Sequence, residues 1–137
     1  MVKNVLVVDS DAQFTEDFGL KLTGRGYLVK CDPSAAKGLT SLRDYQADII
    51  FVDFGLPDLN MPKFLSRLRY SESARLRTIP TIAIGSELTD NIILEAYRRG
   101  ADYVMEKPLQ DKFLFAILDY LIGDLTAEER EVLETLI

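Results

Sequence analysis

The sequence predicts an α/β fold in which a parallel sheet is covered by helices on both faces. Two observations support this prediction. Short apolar runs rich in Val and Ile alternate with amphipathic segments from one end of the chain to the other. Several runs are apolar at every position, which is typical of strands buried on both faces. Gly, Pro, Asp and Asn stand at the junctions, where turns and helix starts are expected.

Five apolar runs are predicted to be strands. They occupy Asn4–Val8 and residues 27–31, 47–53, 80–84 and 102–105. The third run, from Ala47 to Asp53, is the most continuous, and a Gly/Pro loop follows it directly. Such a run is a good candidate for a central strand of a parallel sheet.

The segments between these strands have helical periodicity. In the first, Phe14, Phe18 and Leu22 recur every four residues, Asp11 is a candidate N-cap, and Gly24 ends the pattern. Pro33 and Pro62 are expected near the starts of the second and third helices. The second is expected to turn Ala36, Leu39 and Leu42 inward, and the third Phe64, Leu65 and Leu68. The fourth and fifth helices are predicted over residues 86–99 and Asp111–Ile122.

Alternating strands and helices require right-handed crossovers. Five strands over residues 1–123 therefore predict a flavodoxin-like, doubly wound (β/α)5 domain. In residues 124–137, Thr126 and Glu129 form a capping box before an apolar stripe, which predicts a short extra helix. This segment is either a C-terminal extension or the start of a further, truncated segment.

Composition narrows the range of functions. The chain has 137 residues, a net charge of −6 and no basic cluster, so we expect no nucleic-acid contact within it. It contains no His, which excludes His-based catalysis and His metal ligands. One Cys cannot form an internal disulfide, and no apolar run reaches the roughly 20 residues of a membrane span. We expect a soluble, cytoplasmic domain without a membrane segment.

Three charged residues follow predicted strands. Asp9 follows the first strand, Asp53 ends the third, and Lys107 follows the fifth. In open parallel sheets, sites form at the carboxyl ends of the strands. Two carboxylates and an ammonium group at that edge make a candidate site for a phosphoryl group and a divalent cation.

The order and spacing of these motifs resemble the receiver domain of two-component response regulators, and the resemblance covers nearly all of residues 3–123. The matching residues are Val5 to Asp9, Asp53 to Pro57 with Asn60, Pro80 before the fourth strand, Gly100 to Asp102, and Lys107-Pro108.

The resemblance implies a role for each matching residue. Asp53 would accept a phosphoryl group from a histidine kinase or phosphotransfer protein, and Lys107 would pair with the phosphoryl oxygens. Asp9, Asp53 and the backbone carbonyl of Gly55 would hold Mg²⁺. Such a domain is not an enzyme, apart from self-phosphorylation from small donors and slow self-dephosphorylation.

The resemblance also implies a partner surface. An output domain, another protein or a second copy would bind the face formed by the fourth predicted helix, the fifth strand and the fifth predicted helix. Tyr97, Arg98 and Arg99 are the candidate interface residues there. An exposed aromatic side chain on such a face is a candidate anchor.

Several positions depart from the family pattern. Ser10 replaces the second of two adjacent acids, so we expect weak Mg²⁺ binding; Ser10 or Asp11 is an alternative further ligand, and Asp11 is equally a helix cap. Gly85 stands where a Thr or Ser usually follows the phosphoryl group, and Ser86 is its candidate substitute. Val104 replaces an aromatic residue. Tyr103 cannot supply that ring, because neighbouring strand residues point to opposite faces.

Two alternatives follow from these departures. The chain could be a pseudo-receiver, an interaction module that does not depend on phosphorylation. It could also be a phosphatase of the haloacid-dehalogenase type, because Asp9-Ser10-Asp11 imitates an Asp-x-Asp motif and Ser86 and Lys107 follow later. No paired acids follow a later strand, however, and the chain is short for that family.

Overall fold

The computed structural model describes residues 1–137 and contains one five-stranded parallel sheet. Its strands are β1 (Asn4–Val8), β2 (Leu28–Asp32), β3 (Ile49–Asp53), β4 (Thr81–Gly85) and β5 (Tyr103–Glu106). Their spatial order is β2-β1-β3-β4-β5, so the chain reverses its direction of winding beside β1. This order confirms the doubly wound α/β fold and creates a switch point between β1 and β3.

Seven helices accompany the sheet. They are α1 (Ala12–Thr23), α2 (Ala35–Asp44), α3 (Met61–Arg69), α4 (Ala74–Thr78), α5 (Asp90–Arg98), α6 (Asp111–Ile122) and α7 (Ala127–Glu134). None of them is long and apolar enough to cross a bilayer. The sequence did not predict α4, because its five residues bury no side chain and carry no apolar stripe.

Most helix starts are where the capping residues predict them. Asp11, Asn60 and Thr126 each accept a hydrogen bond from the backbone N–H three residues later. Helices α2 and α5, the second and fourth that the sequence predicts, begin a few residues later than predicted. Ser34 rather than the Asp32-Pro33 pair caps α2, and Thr89 caps α5, so residues 86–89 form a loop.

Strand alternation divides the core into two clusters. In β1, Val5 and Val7 pack towards α1 and α6, whereas Leu6 and Val8 pack towards α2, α3 and α5. The other strands follow the same rule, so each face of the sheet has its own apolar layer. The largest fully buried side chains include Phe51 on the first face and Phe64 on the second.

Helix α2 lies unusually close to the sheet. A Cβ atom at Gly38 would lie 2.8 Å from a methyl group of Val8, so only glycine permits this approach. Ala35, Gly38 and Leu42 face the sheet, whereas Ala36 is exposed. The predicted inward position of Ala36 was therefore wrong, because the inward stripe of α2 runs through positions 35, 38 and 42, and Ala36 is turned about 100° away from Ala35.

A partly buried arginine ties the second face together. Arg69 on α3 donates hydrogen bonds to the carbonyls of Gly100 (2.8 and 3.0 Å) and Ile79 (2.9 Å). Its guanidinium group also lies 3.2 Å from a carboxylate oxygen of Asp102. The carbonyls belong to the turns before β4 and β5, so Arg69 holds both strand entries against α3.

The segment after α6 folds back onto the domain. The Tyr120 hydroxyl donates to Glu134 of α7 (3.0 Å), and Arg130 donates to the carbonyl of Tyr120. Ile137 packs against the buried cluster on the α1/α6 face and lines a small cavity with Tyr103 beside β5. Residues 124–137 therefore cover the β5 side of α6.

Candidate functional site

Strand alternation brings the three charged residues together. Val7 precedes Asp9 by two positions, Phe51 precedes Asp53, and Met105 precedes Lys107, and all three apolar residues belong to the α1/α6 face. Because β1 and β3 are in register at Val8 and Val52, Asp9 and Asp53 lie side by side at the sheet edge.

Lys107 bridges the two carboxylates. Its Nζ atom lies 2.7 Å from Asp9 Oδ2 and 3.1 Å from Asp53 Oδ1. The other oxygen of each carboxylate accepts a backbone N–H two residues later, from Asp11 (2.9 Å) and Gly55 (2.9 Å) respectively. These short loops fix both carboxylates before any ligand arrives.

Burial and ion pairing shift the pKa values of Asp9 and Lys107. Asp9 is only 2% exposed, and burial raises the pKa of its carboxyl group, although hydrogen bonds from Lys107 and Asp11 oppose the change. Burial lowers the pKa of Lys107, but its hydrogen bonds to Asp9 and Asp53 outweigh burial, and the net pKa is raised. Two carboxylates and one ammonium leave one surplus negative charge, which favours a cation at this edge.

The donor set of the site suits a hard cation. The two carboxylates and the neighbouring Gly55 carbonyl are oxygen donors of the type that Mg²⁺ prefers. No group of three or more His, Cys, Asp or Glu side chains forms a metal centre anywhere in the chain. Ser10 is exposed, and Asp11 uses Oδ1 to cap α1. The residues of the site therefore fit a Mg²⁺ ion, with Asp9, Asp53 and the Gly55 carbonyl as the groups that would hold it.

The triad opens into a cleft of about 680 Å³. Ser10, Asp11 and Ser86 line this cleft, so all three residues border the site even though none belongs to the triad. The remaining lining residues are Phe54, Gly55, Pro62, Gly85, Leu88, Asn91, Ile92 and Glu95. A phosphate-sized group therefore has open access to Asp53.

Gly85 is the last residue of β4. Strand alternation directs this position to the α2/α3/α5 face, opposite the α1/α6 face of the triad. A Cβ atom at this position would lie 2.9 Å from Phe54 Cδ2 and 2.9 Å from Leu88 Cδ2. The chain therefore lacks a hydroxyl there, and apolar side chains occupy the space next to the backbone. Glu106 Oε1 accepts the Leu88 N–H (2.9 Å), which fastens the following loop to the end of β5.

The aromatic position is also altered. Val104 packs with the cluster under α2, α3 and α5, whereas Tyr103 packs with the cluster under α1 and α6. This confirms that Tyr103 cannot supply a ring at the Val104 position. Instead, Tyr97 of α5 reaches β5 and accepts the Val104 N–H at its hydroxyl oxygen (3.2 Å).

The three candidate interface residues do not share one surface. Tyr97 is 42% exposed and contacts β5. Arg99 points the other way, pairing with Glu95 (2.7 Å) and donating to Ser66 of α3 (3.2 Å). Arg98 is exposed between them. The spacing of about 100° per residue in a helix explains this separation, so only Tyr97 lies on the face of α5 that meets β5.

Three residues around the site were missed by sequence reasoning. Phe14 places its ring centre 4.1 Å from Lys107 Nζ. Glu106 holds the loop after β4. Asp58 accepts backbone N–H groups of α2 from Ala35 and Ala36, both at 2.9 Å, and these bonds lower the pKa of its carboxyl group. Only the Asp58 position carried a signal, because an acid beside a Gly/Pro loop is a candidate cap.

Known proteins share this fold. The model of the response regulator receiver domain family matches residues 5–119. A two-component response regulator from Clostridium difficile superposes with a TM-score of 0.82 at 19% identity, over 91% of this chain and 99% of that one. Chemotaxis response regulator CheY4 of Vibrio cholerae gives a TM-score of 0.80 at 20% identity, over 89% and 100% of the respective chains.

Curated relatives agree with the family match. Transcriptional regulatory protein KdpE of Mycobacterium tuberculosis is 30% identical over 134 residues, which is 96% of this chain and 57% of that protein. DNA-binding response regulator MtrA of Mycolicibacterium paratuberculosis is 26% identical over 116 residues, or 85% of this chain and 49% of that one. The chain belongs to the response regulator receiver domain family, and it spans about half the length of these relatives.

Proposed function

We propose that Asp53 is the phosphoryl acceptor of this two-component receiver domain. The observation that supports this most is the triad. Asp53 lies at a strand end in an open cleft, beside the buried Asp9. The Oδ1 atom of Asp53 is 3.1 Å from the Lys107 ammonium. The arrangement pairs a nucleophilic oxygen with a fixed positive charge, which phosphoryl transfer requires.

In the proposed transfer, a carboxylate oxygen of Asp53 attacks phosphorus while the bond from phosphorus to the donor breaks. For a phosphohistidine donor, the P–N electron pair returns to the imidazole, and an aspartyl phosphate remains. The Gly55 N–H holds Oδ2 in place (2.9 Å), and Lys107 is placed to pair with the transferred oxygens.

Mg²⁺ is the proposed cofactor, held weakly by Asp9, Asp53 and the Gly55 carbonyl. When bound, such an ion neutralises charge on phosphoryl oxygens. Asp9 gives the site its second negative charge, and the ion pair with Lys107 keeps that buried carboxylate near Asp53. Ser10 and Asp11 remain candidates for water-mediated contacts at the cleft wall.

The proposed chemistry ends with the acyl phosphate. The chain has no His to serve as a general base, and Lys107 is already paired with both carboxylates. We therefore expect only self-phosphorylation from small donors and slow self-dephosphorylation. The phosphatase alternative lacks support because Asp11, its required second acid, caps α1 with Oδ1.

The family implies a histidine kinase partner. We further propose a phosphotransfer protein as an alternative donor, a cytoplasmic location, and no nucleic-acid contact within these residues. We propose that the α5–β5–α6 face binds the protein that receives the signal, which is an output domain, a separate protein or a second copy. Tyr97 is the candidate anchor on this face, and residues 124–137 form the proposed extension that covers part of it.

The deciding experiment is incubation of the full chain with acetyl phosphate and Mg²⁺, followed by intact-mass and peptide-level mass spectrometry. The expected result is one phosphoryl group on Asp53, absent in Asp53→Asn. Asp119→Asn, which changes an exposed acid on α6, is the matched control and should label normally. Equal labelling of Asp53→Asn would overturn the assignment, and no labelling of any variant would favour the pseudo-receiver.

A further inference from the structure

Lys107 has to be aimed at the site from a loop. It follows β5 and precedes Pro108, and its ammonium sits at the end of a long flexible stem. The carboxylates of Asp9 and Asp53 define two directions around the nitrogen. A third contact comes from the ring of Phe14, whose centre lies 4.1 Å from Nζ.

The Phe14 ring is itself held by the core. Phe14 stands in the first turn of α1, and its ring centre is 5.3 Å from that of Phe18. The Phe18 ring meets Phe51 nearly edge-on at 5.0 Å. Phe18 and Phe51 are buried, and Phe51 lies on β3, the strand that carries Asp53. The ring beneath the ammonium is therefore positioned relative to the phosphoryl acceptor.

The face of an aromatic ring attracts a cation within about 6 Å of its centre. It accepts no strong hydrogen bond, so it does not compete with the carboxylates for the N–H donors of Lys107. It also excludes water from one side of the ammonium, whose side chain is only 16% exposed. The ring and the two carboxylates together leave the ammonium little freedom to leave the site.

We propose that Phe14 is a positioning residue that holds the Lys107 ammonium between Asp9 and Asp53, and thereby sets how fast Asp53 is phosphorylated. The second half of this proposal rests on the proposed function of Asp53. The first half does not, because it concerns the resting geometry alone.

The test compares four variants of the full chain. Phe14→Leu removes the ring, and Phe14→Tyr keeps it. Trifluorophenylalanine at position 14 keeps the ring but draws electron density from its face. Leu22→Val loosens α1 at a buried position about two turns from Phe14 and leaves the Phe14 and Phe18 rings in place. Each variant is ¹⁵N-lysine labelled, and the Lys107 ammonium is titrated by NMR without Mg²⁺ or phosphodonor. Phosphorylation by acetyl phosphate with Mg²⁺ is timed separately.

We expect Phe14→Leu and the trifluoro variant to lower the pKa of Lys107 and to slow phosphorylation about twofold to fivefold, which corresponds to about 0.5–1 kcal/mol. Phe14→Tyr and Leu22→Val should keep the wild-type titration. The trifluoro variant separates a charge effect from packing, since fluorine changes the charge of the ring face with little change in the shape of the ring. An unchanged titration in both Phe14→Leu and the trifluoro variant would overturn the proposal.

A lowered pKa with an unchanged rate would overturn the claim that the ring sets the rate. A drop in Leu22→Val equal to that in Phe14→Leu would also overturn the proposal, because it would mean that general loosening of α1 is responsible. If wild type is not phosphorylated at all, the proposed function fails, and the titration still decides whether Phe14 holds the ammonium.

Discussion

The ring of Phe54 stands 2.9 Å from the point where Gly85 would carry a Cβ atom. Leu88 approaches the same point equally closely, so two apolar side chains fill the space beside the end of β4. In receivers with Thr or Ser here, a hydroxyl follows the phosphoryl group. In this chain the hydroxyl is absent. Phe54, which follows the phosphoacceptor candidate Asp53, occupies the space beside position 85 instead.

Gly85→Thr should therefore destabilise the protein. Overpacking of a well-filled site costs about 1–3 kcal/mol, and the new side chain has to displace both Phe54 and Leu88. Urea unfolding measures the loss. The double variant with Phe54→Ala should lose less than the two single variants added together, because the smaller side chain makes room. Strict additivity would contradict this explanation.

Asp9→Asn tests whether the buried charge of Asp9 lowers the free energy of unfolding. Burial raises the pKa of Asp9, so above its ordinary value of 3.8 the folded state binds more protons than the unfolded state, and stability falls as pH rises through that window. Asparagine keeps the acceptor for the Asp11 N–H without the charge. We expect the metal-free variant to be at least as stable as wild type at pH 7, with a flatter pH dependence.

The same substitution should weaken Mg²⁺ binding, although it is not expected to lower the metal-free stability. Asp9→Asn removes one of the two carboxylates, so titration followed by intrinsic tyrosine fluorescence or NMR should show markedly weaker binding than in wild type. A loss of more than about 1 kcal/mol in metal-free stability would instead show that the ionised Asp9 is a net stabiliser. Tight binding that survives the substitution would assign the ion to Asp11 or another group.

Lys107→Met should be destabilising, and the size of the effect should depend on pH. Removing the ammonium leaves two buried carboxylates without a cationic partner, at a cost of about 3 kcal/mol. The pKa of Lys107 is raised above 10.5 in the folded state, so its contribution is complete below 10.5 and is lost as pH rises through the raised value. The stability difference from wild type should be level between pH 7 and 10 and shrink above it.

Tyrosine ionisation also lowers stability at alkaline pH, but it affects both proteins and cancels in their difference. Urea midpoints at matched pH values provide the measurement. A difference that grows above pH 10, or that is near zero at pH 7, would contradict the ion-pair geometry. Lys107→Arg, which keeps the positive charge on a head group of different shape, is the control that separates loss of charge from loss of the ammonium geometry.

The sequence predicted the fold and the triad for one physical reason. Val, Ile and Phe runs specify buried parallel strands, and their carboxyl ends meet at one edge wherever the helices fall. Asp9, Asp53 and Lys107 could therefore be placed together without coordinates. Strand parity also placed Tyr103 and Val104 on opposite faces, as the structure confirms. Both predictions depend on the periodicity of side chains over a few neighbouring residues.

Contacts between distant segments could not be predicted in this way. Phe14 had only the signature of a core residue, because its helical spacing with Phe18 says nothing about a lysine 93 positions later. The start of α5 was misplaced because Ser86 and Thr89 are both acceptable caps, and the Leu88–Glu106 bond decides between them. The adjacency of Tyr97, Arg98 and Arg99 in sequence also concealed their separation around the helix.

Arg69 should be among the most costly positions outside the apolar core. Arg69→Ala breaks charged hydrogen bonds to Gly100 and Ile79 and leaves their carbonyls partly buried, so we expect a loss of about 3 kcal/mol. Arg69→Lys should recover less than half, since an ammonium cannot reach both turns at once. Amide exchange should rise at the entries to β4 and β5, and unchanged exchange there would refute the bridging role.

Phosphorylation of Asp53 should change the α5–β5–α6 face little. Moving a two-state equilibrium from about 1:99 to 99:1 takes roughly 5.5 kcal/mol of differential binding, and a hydrogen bond to a charged group supplies about 1.5–3 kcal/mol of it. Gly85 offers no such bond, and the Leu88–Glu106 bond fastens the loop that would have to move. The bond between Tyr97 and Val104 holds α5 on β5 in the same way.

We therefore expect a beryllofluoride–Mg²⁺ mimic at Asp53 to change amide exchange in the loops after β1 and β3 while leaving residues 88–103 nearly unaltered. Any signal would then pass through local charge at the site, or through a dimer formed in advance. Ser86→Ala is the control, because Ser86 is the hydroxyl in the cleft nearest in sequence to Gly85. Large, cooperative exchange changes across residues 88–103 that disappear in Ser86→Ala would contradict the prediction and identify Ser86 as the substitute donor; in that case a Thr at position 85 should add little.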